Sequence, residues 1–593
     1  MTTPNETSAS ETMATKRSSV EAPARPLRWR NALQRPVGSF AWFLGAWCGW
    51  VSLYPTLLPR SAMIQGVITA LSVTLGIASG TLIAWLVRWI WRIAKRPVPA
   101  IPNGRGRTLL YVLSVVGLII GLPWWLVRQN AQRDLVSMDP IGGGAVVTMV
   151  IVSLVVGALF VVLGRSIARL VARLDRGVDR LMPRWASTIA TVVIVAGLSA
   201  ILVQDVVWKS FVNWANGVYS TFDTGTPEGV VQPSTPLRSG GPGSLVAWDS
   251  LGFEGRNFAG GGPTVAQLQE FAGPGSTVKE PIRAYVGIDS VDLSVDSTDL
   301  PEAQAQRAVA ELNRTDAWSR SVLAIVTVTG TGWVDPWFAD SVEFMNNGDT
   351  AIVATQYSFL PSWISFLVDL DKAAASGRAT VDAVVAKWRT LPEGQRPRLI
   401  VDGISLGTYG SEHAFNGATL QDSVDNALAD VDGVLYAGPT FMNPIWNQIV
   451  DGRSSSSPSW QPQVGAPVYA WNRPQDGDGP PGGGGRLPGR SMVYLTQPSD
   501  PVTWASFSAL WSKPEWMQGE RGYDVPSGTL WFPGVTFVQE IFDLMAGFST
   551  PPGHGHNYNA SIVYGVAGVA APDGWTAAAS ERLSDLLAAA DPK

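Results

Sequence analysis

In 593 residues the chain has one cysteine, Cys48, and three histidines, His413, His554 and His556. A single thiol excludes an intramolecular disulfide and a thiolate-ligated structural zinc. So few imidazoles argue against a His-rich metal site, and they narrow any catalytic histidine to three positions. Charge is scarce as well, with Asp, Glu, Lys and Arg making up 15% of the residues. Ionisable side chains are nearly absent from the long apolar runs. Transporters and proton relays usually place such groups inside the membrane, so their scarcity points to an anchor.

What charge there is divides sharply. Residues 1–208 carry a net +13 and residues 209–593 a net −18, which together make the −5 of the whole chain. The long apolar runs all lie in the basic part. Five stretches, near 38–58, 66–91, 108–128, 143–164 and 187–208, are long enough to span a bilayer, which needs ~20 apolar residues. Gly76 and Gly80 place a G-x-x-x-G helix-packing pattern in the second. Residues 1–37 are polar and are expected to be a disordered cytoplasmic tail. Arginines precede the first stretch, and Arg92, Lys95, Arg96, Arg105 and Arg107 follow the second. Six more, from Arg165 to Arg184, follow the fourth. The other loops carry Arg60 alone, or Arg133 balanced by Asp134 and Asp139. Every second loop is therefore basic. By the positive-inside rule the N-terminus is cytoplasmic and everything after residue 208 lies outside a plasma membrane crossed five times.

Residues 209–280 are rich in Gly, Pro, Ser and Thr and read as an extracytoplasmic connector. From 281 to 593 short apolar strands alternate with helices. The strands are expected at Val322–Val328, Thr350–Gln356, Arg398–Val401, Gly433–Ala437 and Ser491–Leu495, with helices near 374–391 and 535–547. That alternation predicts a mostly parallel sheet covered on both faces. Gly403-Ile404-Ser405-Leu406-Gly407 follows one of these strands and precedes a helix. Strand, G-x-S-x-G, helix is the order of a nucleophile elbow, in which the glycines leave room for a turn that lifts the serine above the sheet edge. Ser405 is the expected nucleophile. Asp500, just beyond the strand ending at Leu495, is the expected acid, whereas Asp425, Asp430 and Asp432 precede a strand at the wrong end of the sheet. His556, in the loop Pro552–Tyr558, is the favoured base and His554 its competitor; His413, on the elbow helix, is placed outside the triad. The N–H of Leu406, with that of Thr331 or Gly332, is expected to meet the oxyanion. Block 441–490 is too long for a plain connection, and its Trp446, Trp460 and Trp471 suggest a lid.

In these motifs, Gly403–Gly407, Gln497–Trp504 and Pro552–Tyr558, the chain resembles a bacterial family of membrane-anchored α/β-hydrolase-like proteins. That family joins a multi-span N-terminal region to a C-terminal serine-hydrolase domain. The resemblance runs from about residue 38 onward and implies Ser405 as nucleophile, with acid and base in the two later motifs. One departure is that no clear strand falls between Asp500 and His554. The expected whole is an α-helical transmembrane bundle of about five spans followed by an α/β-hydrolase domain. It would act as a membrane-anchored serine esterase on ester or thioester bonds of lipid or acylated envelope components, without cofactor, metal or nucleic acid. Acyl transfer by the same triad, or a non-catalytic envelope scaffold, are the alternatives.

Overall fold

The computed structural model describes residues 38–94, 104–178, 197, 208–292, 299–472 and 481–590. Contacts divide the chain into two units, residues 38–160 with 198–593, and residues 1–37 with 161–197. In the first unit the apolar N-terminal part forms helices α1 (Ser39–Val51), α2 (Ala62–Ile93), α3 (Gly104–Leu135) and the opening of α4 (Gly144–Val178). Three stretches, Ala62–Trp91, Gly104–Leu135 and Gly144–Ile167, are long and apolar enough to cross a membrane. The other two expected spans do not add to these three among the described residues, where the first forms a 13-residue helix. At 1.5 Å per residue it is about 20 Å long, short of the bilayer core. The stretch expected at 187–208 lies almost wholly outside the described residues. The G-x-x-x-G pattern does pack helices. A Cβ on Gly76 would lie 2.8 Å from Gly45 Cα, and one on Gly80 would lie 2.7 Å from Ala41 Cα, so α1 and α2 touch through backbone.

The C-terminal part is built on seven strands: β1 (Ile282–Val286), β2 (Val322–Thr327), β3 (Thr350–Thr355), β4 (Arg398–Ile404), β5 (Gly433–Ala437), β6 (Val468–Trp471) and β7 (Ser491–Leu495). Their order is β1-β3-β2-β4-β5-β7-β6, and every registered pair is parallel. β1, β2, β3, β5 and β7 are buried at every position; β2, β3, β5 and β7 read as largely apolar or β-branched runs, whereas β1 is broken by Arg283, which pairs with Glu343. Two strands are missing from the sequence reading, β1 and β6. The latter lies inside block 441–490 and pairs outside β7, so this block supplies a sheet edge as well as loops. No strand follows Leu495 among the described residues. The chain reaches His554 and His556 through the elbow of helix Val535–Ala546 instead.

The connector is built into the domain. Arg238 bridges to Arg283 beside β1, and the buried Arg256 donates to the Gly225 carbonyl at 2.9 Å and to that of Asp249 at 3.2 Å.

One network joins the membrane helices to the hydrolase-like domain. The turn between α1 and α2 carries Arg60, whose Nε lies 2.9 Å from Oδ1 of Asp543 on helix Val535–Ala546, both side chains fully buried. Thr56 Oγ1 donates to Asp543 Oδ2 at 2.5 Å. Gln539, one turn earlier, donates to the Ser52 and Tyr54 carbonyls at 3.0 Å each. Gln129 and Gln132 of α3 complete the shell, accepting from Arg60 N at 2.9 Å and donating to Thr56 O at 2.8 Å. Arg60, the lone charge of its loop, is thus a buried ion-pair partner. Removing one member leaves the other charged and dry, so Asp543→Ala is expected to cost about 3–5 kcal/mol. Arg60→Met with Asp543→Leu should recover most of that loss. The denaturant midpoint of the full chain in detergent measures both; a single variant within 0.5 kcal/mol of wild type, on the order of an ordinary surface change, would contradict the pairing.

Candidate active site

Ser405 stands where β4 meets helix α5 (Leu406–Phe415), at φ 54° and ψ −123°. A non-glycine residue there holds strain of about 1–3 kcal/mol. The elbow is locked from several sides. Ser405 N donates to Ala437 O at 3.0 Å, Thr408 N donates back to Ser405 O at 3.0 Å, and Thr408 Oγ1 does so at 2.6 Å. The flanking glycines are sterically required. A Cβ on Gly403 would lie 2.7 Å from the Gly407 carbonyl carbon, and one on Gly407 would run into Thr327 O. Behind the serine, buried Glu412 of α5 accepts from Ile445 N at 2.7 Å and Tyr494 Oη at 3.0 Å. Burial pushes its carboxyl up to about 7.

Asp500 and His556 come together. Nδ1 of His556 lies 2.7 Å from Asp500 Oδ2, and both side chains are buried. Three further donors converge on the Asp500 carboxylate: Tyr558 Oη at 2.7 Å, Val502 N at 2.8 Å and Thr503 Oγ1 at 3.1 Å. With Nδ1–H donating to Asp500, Nε2 is left as an acceptor, and it has no hydrogen-bond partner among the described residues. The imidazole packs on Gly438, where an added Cβ would lie 2.8 Å from Nδ1. Gly438 is next to the carbonyl that receives the Ser405 N–H, so the ring sits beside the elbow. Tyr558 was not singled out in the sequence, although a tyrosine two positions past a candidate histidine in the same loop was a usable signal.

His554 goes elsewhere. Its Nδ1 lies 3.0 Å from Oδ2 of buried Asp524. Asp524 also accepts from Ser499 Oγ at 2.5 Å, and Ser499 Oγ in turn accepts from Gly555 N at 2.8 Å. This second His–Asp pair fastens the histidine loop to the loop before Asp500. His413 ends on Tyr409 O, at 2.8 Å, away from both. Asp432 accepts from Leu399 N at 2.9 Å, at the opposite end of the sheet.

Leu406 is buried and opens α5 directly after Ser405. Gly332 corrects one expectation: its N–H donates to Thr329 O at 3.0 Å, and its carbonyl accepts from Tyr285 Oη at 2.8 Å, so that N–H is already used. Thr331 O accepts from Gln356 Nε2 at 2.9 Å. The same loop touches the cavity rim through Thr329 Oγ1, 2.8 Å from Ser362 Oγ.

Ser405 and Leu406 form the floor of a cavity of about 310 Å³. Its walls come from 362–367, 502–507 and 537–548, with Phe441 alone from block 441–490, and they are apolar apart from a few serines and Glu540. Phe548 lines it and meets the His556 ring edge-on, with centroids 4.8 Å apart. Burial pushes the Glu540 carboxyl up to about 8, against the pull of hydrogen bonds from Trp516 Nε1 and Ser506 N. Trp446 and Trp504 are core residues: Trp446 stacks on Tyr494 and meets Trp504 edge-on. Among the described residues no cluster of His, Cys, Asp or Glu is placed to hold a metal ion.

A model of an alpha/beta-hydrolase family matches residues 282–583, and the model of that family's N-terminus matches residues 53–263. The chain belongs to this alpha/beta-hydrolase family. The N-terminal match runs from the turn after α1 through α2, α3, α4 and most of the connector. No curated protein matches the chain. Among solved structures, a Trichoderma reesei cutinase in complex with a C11Y4 phosphonate inhibitor is similar at 14% identity and a TM-score of 0.16. The match covers 23% of this chain and 64% of the cutinase, less than two-thirds of the latter.

In this alpha/beta-hydrolase domain the elbow tolerates no added methyl group. Gly407→Ala is expected to cost about 3 kcal/mol, since the clash is with backbone. Gly394→Ala, with nothing within 4 Å of its Cβ, should stay near wild type. Equal denaturant midpoints for the two variants would contradict the close approach.

Proposed function

We propose that the protein is a membrane-anchored serine hydrolase that cleaves carboxylic esters through Ser405, His556 and Asp500. The observation that carries this reading is the strained, cavity-facing Ser405 beside a buried His556 whose Nε2 is unpartnered and whose Nδ1 rests on Asp500. Nε2 takes the proton from Ser405 Oγ as that oxygen attacks the ester carbonyl. Asp500, with its three other donors, holds the ring orientation and stabilises the imidazolium without taking its proton. The Leu406 N–H meets the developing oxyanion, and Thr331 is the proposed second donor, since the Gly332 N–H is engaged. The imidazolium then protonates the leaving alcohol. Water, activated by the same nitrogen, releases the acid from Ser405. An apolar cavity favours an acyl or alkyl chain over a polar ester.

The Arg60 turn and the Gln129–Gln132 end of α3 meet the catalytic domain, and these adjoin the two loops of low charge. The basic loops flank the opposite ends of α2 and α3. By the positive-inside rule the domain lies on the extracytoplasmic side of the plasma membrane, with the N-terminus cytoplasmic.

Hydrolysis of a p-nitrophenyl ester by the full chain tests the assignment. Ser405→Ala and His556→Gln should each lower kcat by at least about 10³-fold. His554→Gln, which only loosens the loop, should lose at most about 100-fold. Full activity in Ser405→Ala, or a larger loss from His554 than from His556, would overturn it. Glu540 adds a pH dependence. Its raised pKa keeps it neutral below about 8 and charged above. KM for an apolar ester should therefore rise as pH passes through about 8 in wild type and stay level in Glu540→Gln.

A further inference from the structure

The mouth of the cavity is itself made of exposed large apolar side chains. Phe507, Ile541 and Met545 line the cavity with Ser405 and are also 56%, 42% and 56% exposed. Leu510, Trp511 and Leu530 extend the same surface beyond the mouth, with Trp511 67% exposed. A soluble protein rarely leaves so many large apolar residues together in water.

The same segment of chain lies along the membrane helices. Phe532 meets Tyr54 with centroids 5.6 Å apart, and Tyr54 in turn packs on Trp50 and Trp124. Aromatics of this kind gather at the level of lipid headgroups. Two residues further on, a Cβ on Gly534 would lie 3.0 Å from Leu75 Cδ2 and 3.9 Å from Leu510 Cδ1. Between Gln65 and Arg88, α2 carries no charge. At 1.5 Å per residue that interval is about 35 Å, enough to cross the ~30 Å core, and Leu75 lies about 15 Å along it from Gln65. Gly534, and Leu510 beside it, are therefore level with the acyl chains of the leaflet facing the catalytic domain. Helix Val535–Ala546 starts from that depth, turns its polar side to Arg60 and its apolar side to the cavity.

We propose that the cavity mouth dips into the acyl-chain layer around the membrane helices, and that the substrate is a membrane-resident lipid ester whose chain enters sideways from the leaflet. The lipid leaves the bilayer only far enough to bring its ester to Ser405. Its tail stays against Phe507, Ile541 and Met545 and never crosses water. The substrate part of this rests on Ser405 being the nucleophile; the immersion of the mouth does not.

Depth is measured first, on the full chain carrying Cys48→Ser and one nitroxide-labelled cysteine, in phosphatidylglycerol–phosphatidylcholine vesicles. Labels replacing Trp511 or Leu530 should collide more with dissolved oxygen than with a water-soluble nickel complex. A label replacing exposed Asp451 should show the reverse order. Nickel accessibility at 511 and 530 equal to that at 451 would overturn the immersion. Substrate entry is measured with Trp511→Asp and Leu530→Asp. These should lower hydrolysis of a long-chain ester held in the vesicle at least tenfold and change that of water-soluble p-nitrophenyl butyrate less than twofold. Equal losses toward both esters would overturn lateral entry. Wild type that cleaves neither ester would refute the hydrolase reading instead, while the nitroxide result still decides where the mouth lies.

Discussion

The buried pair between Arg60 and Asp543 is the contact on which the arrangement of the site depends. Two charges taken wholly out of water are tolerated only when each is held by close, well-directed partners. Here Thr56 Oγ1 bonds to both side chains and Gln65 Oε1 accepts from Arg60 Nη1. One helix, Val535–Ala546, carries the acid of this pair and also Phe537, Ile541, Leu544 and Met545 of the cavity wall. The turn between the first two membrane helices therefore sets where the wall over Ser405 stands. The N-terminal apolar helices are thus part of the site's architecture.

Within that frame the chemistry follows from crowding at one sheet edge. β4, β5 and β7 are neighbours, so the residues that follow them, Ser405, Gly438 and the loop to Asp500, emerge side by side. Glycine at 438 lets the His556 ring come down between the other two. The remaining strain sits on Ser405, and the locked hydrogen bonds of the elbow hold it. An apolar cavity above the serine lowers the local dielectric, which strengthens any hydrogen bond to a developing oxyanion.

Much of this was legible in the residues. β2, β3, β4, β5 and β7 show as apolar runs, whereas β1 carries Arg283 in its middle; G-x-S-x-G after β4 marks the sharp turn at Ser405. Asp500 is marked by its place after a late strand, and the structure sets His556 against it while His554 goes to Asp524. Other features had no local signal. β6 is four residues long and interrupted in burial, so it is lost among Gly and Ser. Asp524, which takes up His554, lies 30 residues away in a loop without periodicity. Arg60 looked like a topogenic loop charge, because its partner is 483 positions further along. The cavity wall at 362–367 and 537–548 likewise depends on tertiary packing.

The most direct measurement is to treat the full-length protein in vesicles with a long-chain alkyl fluorophosphonate and locate the adduct by peptide mass spectrometry. Covalent attachment at Ser405, lost when the protein is unfolded before treatment, is the predicted result. Attachment at another serine, or none on the folded protein, would contradict the account.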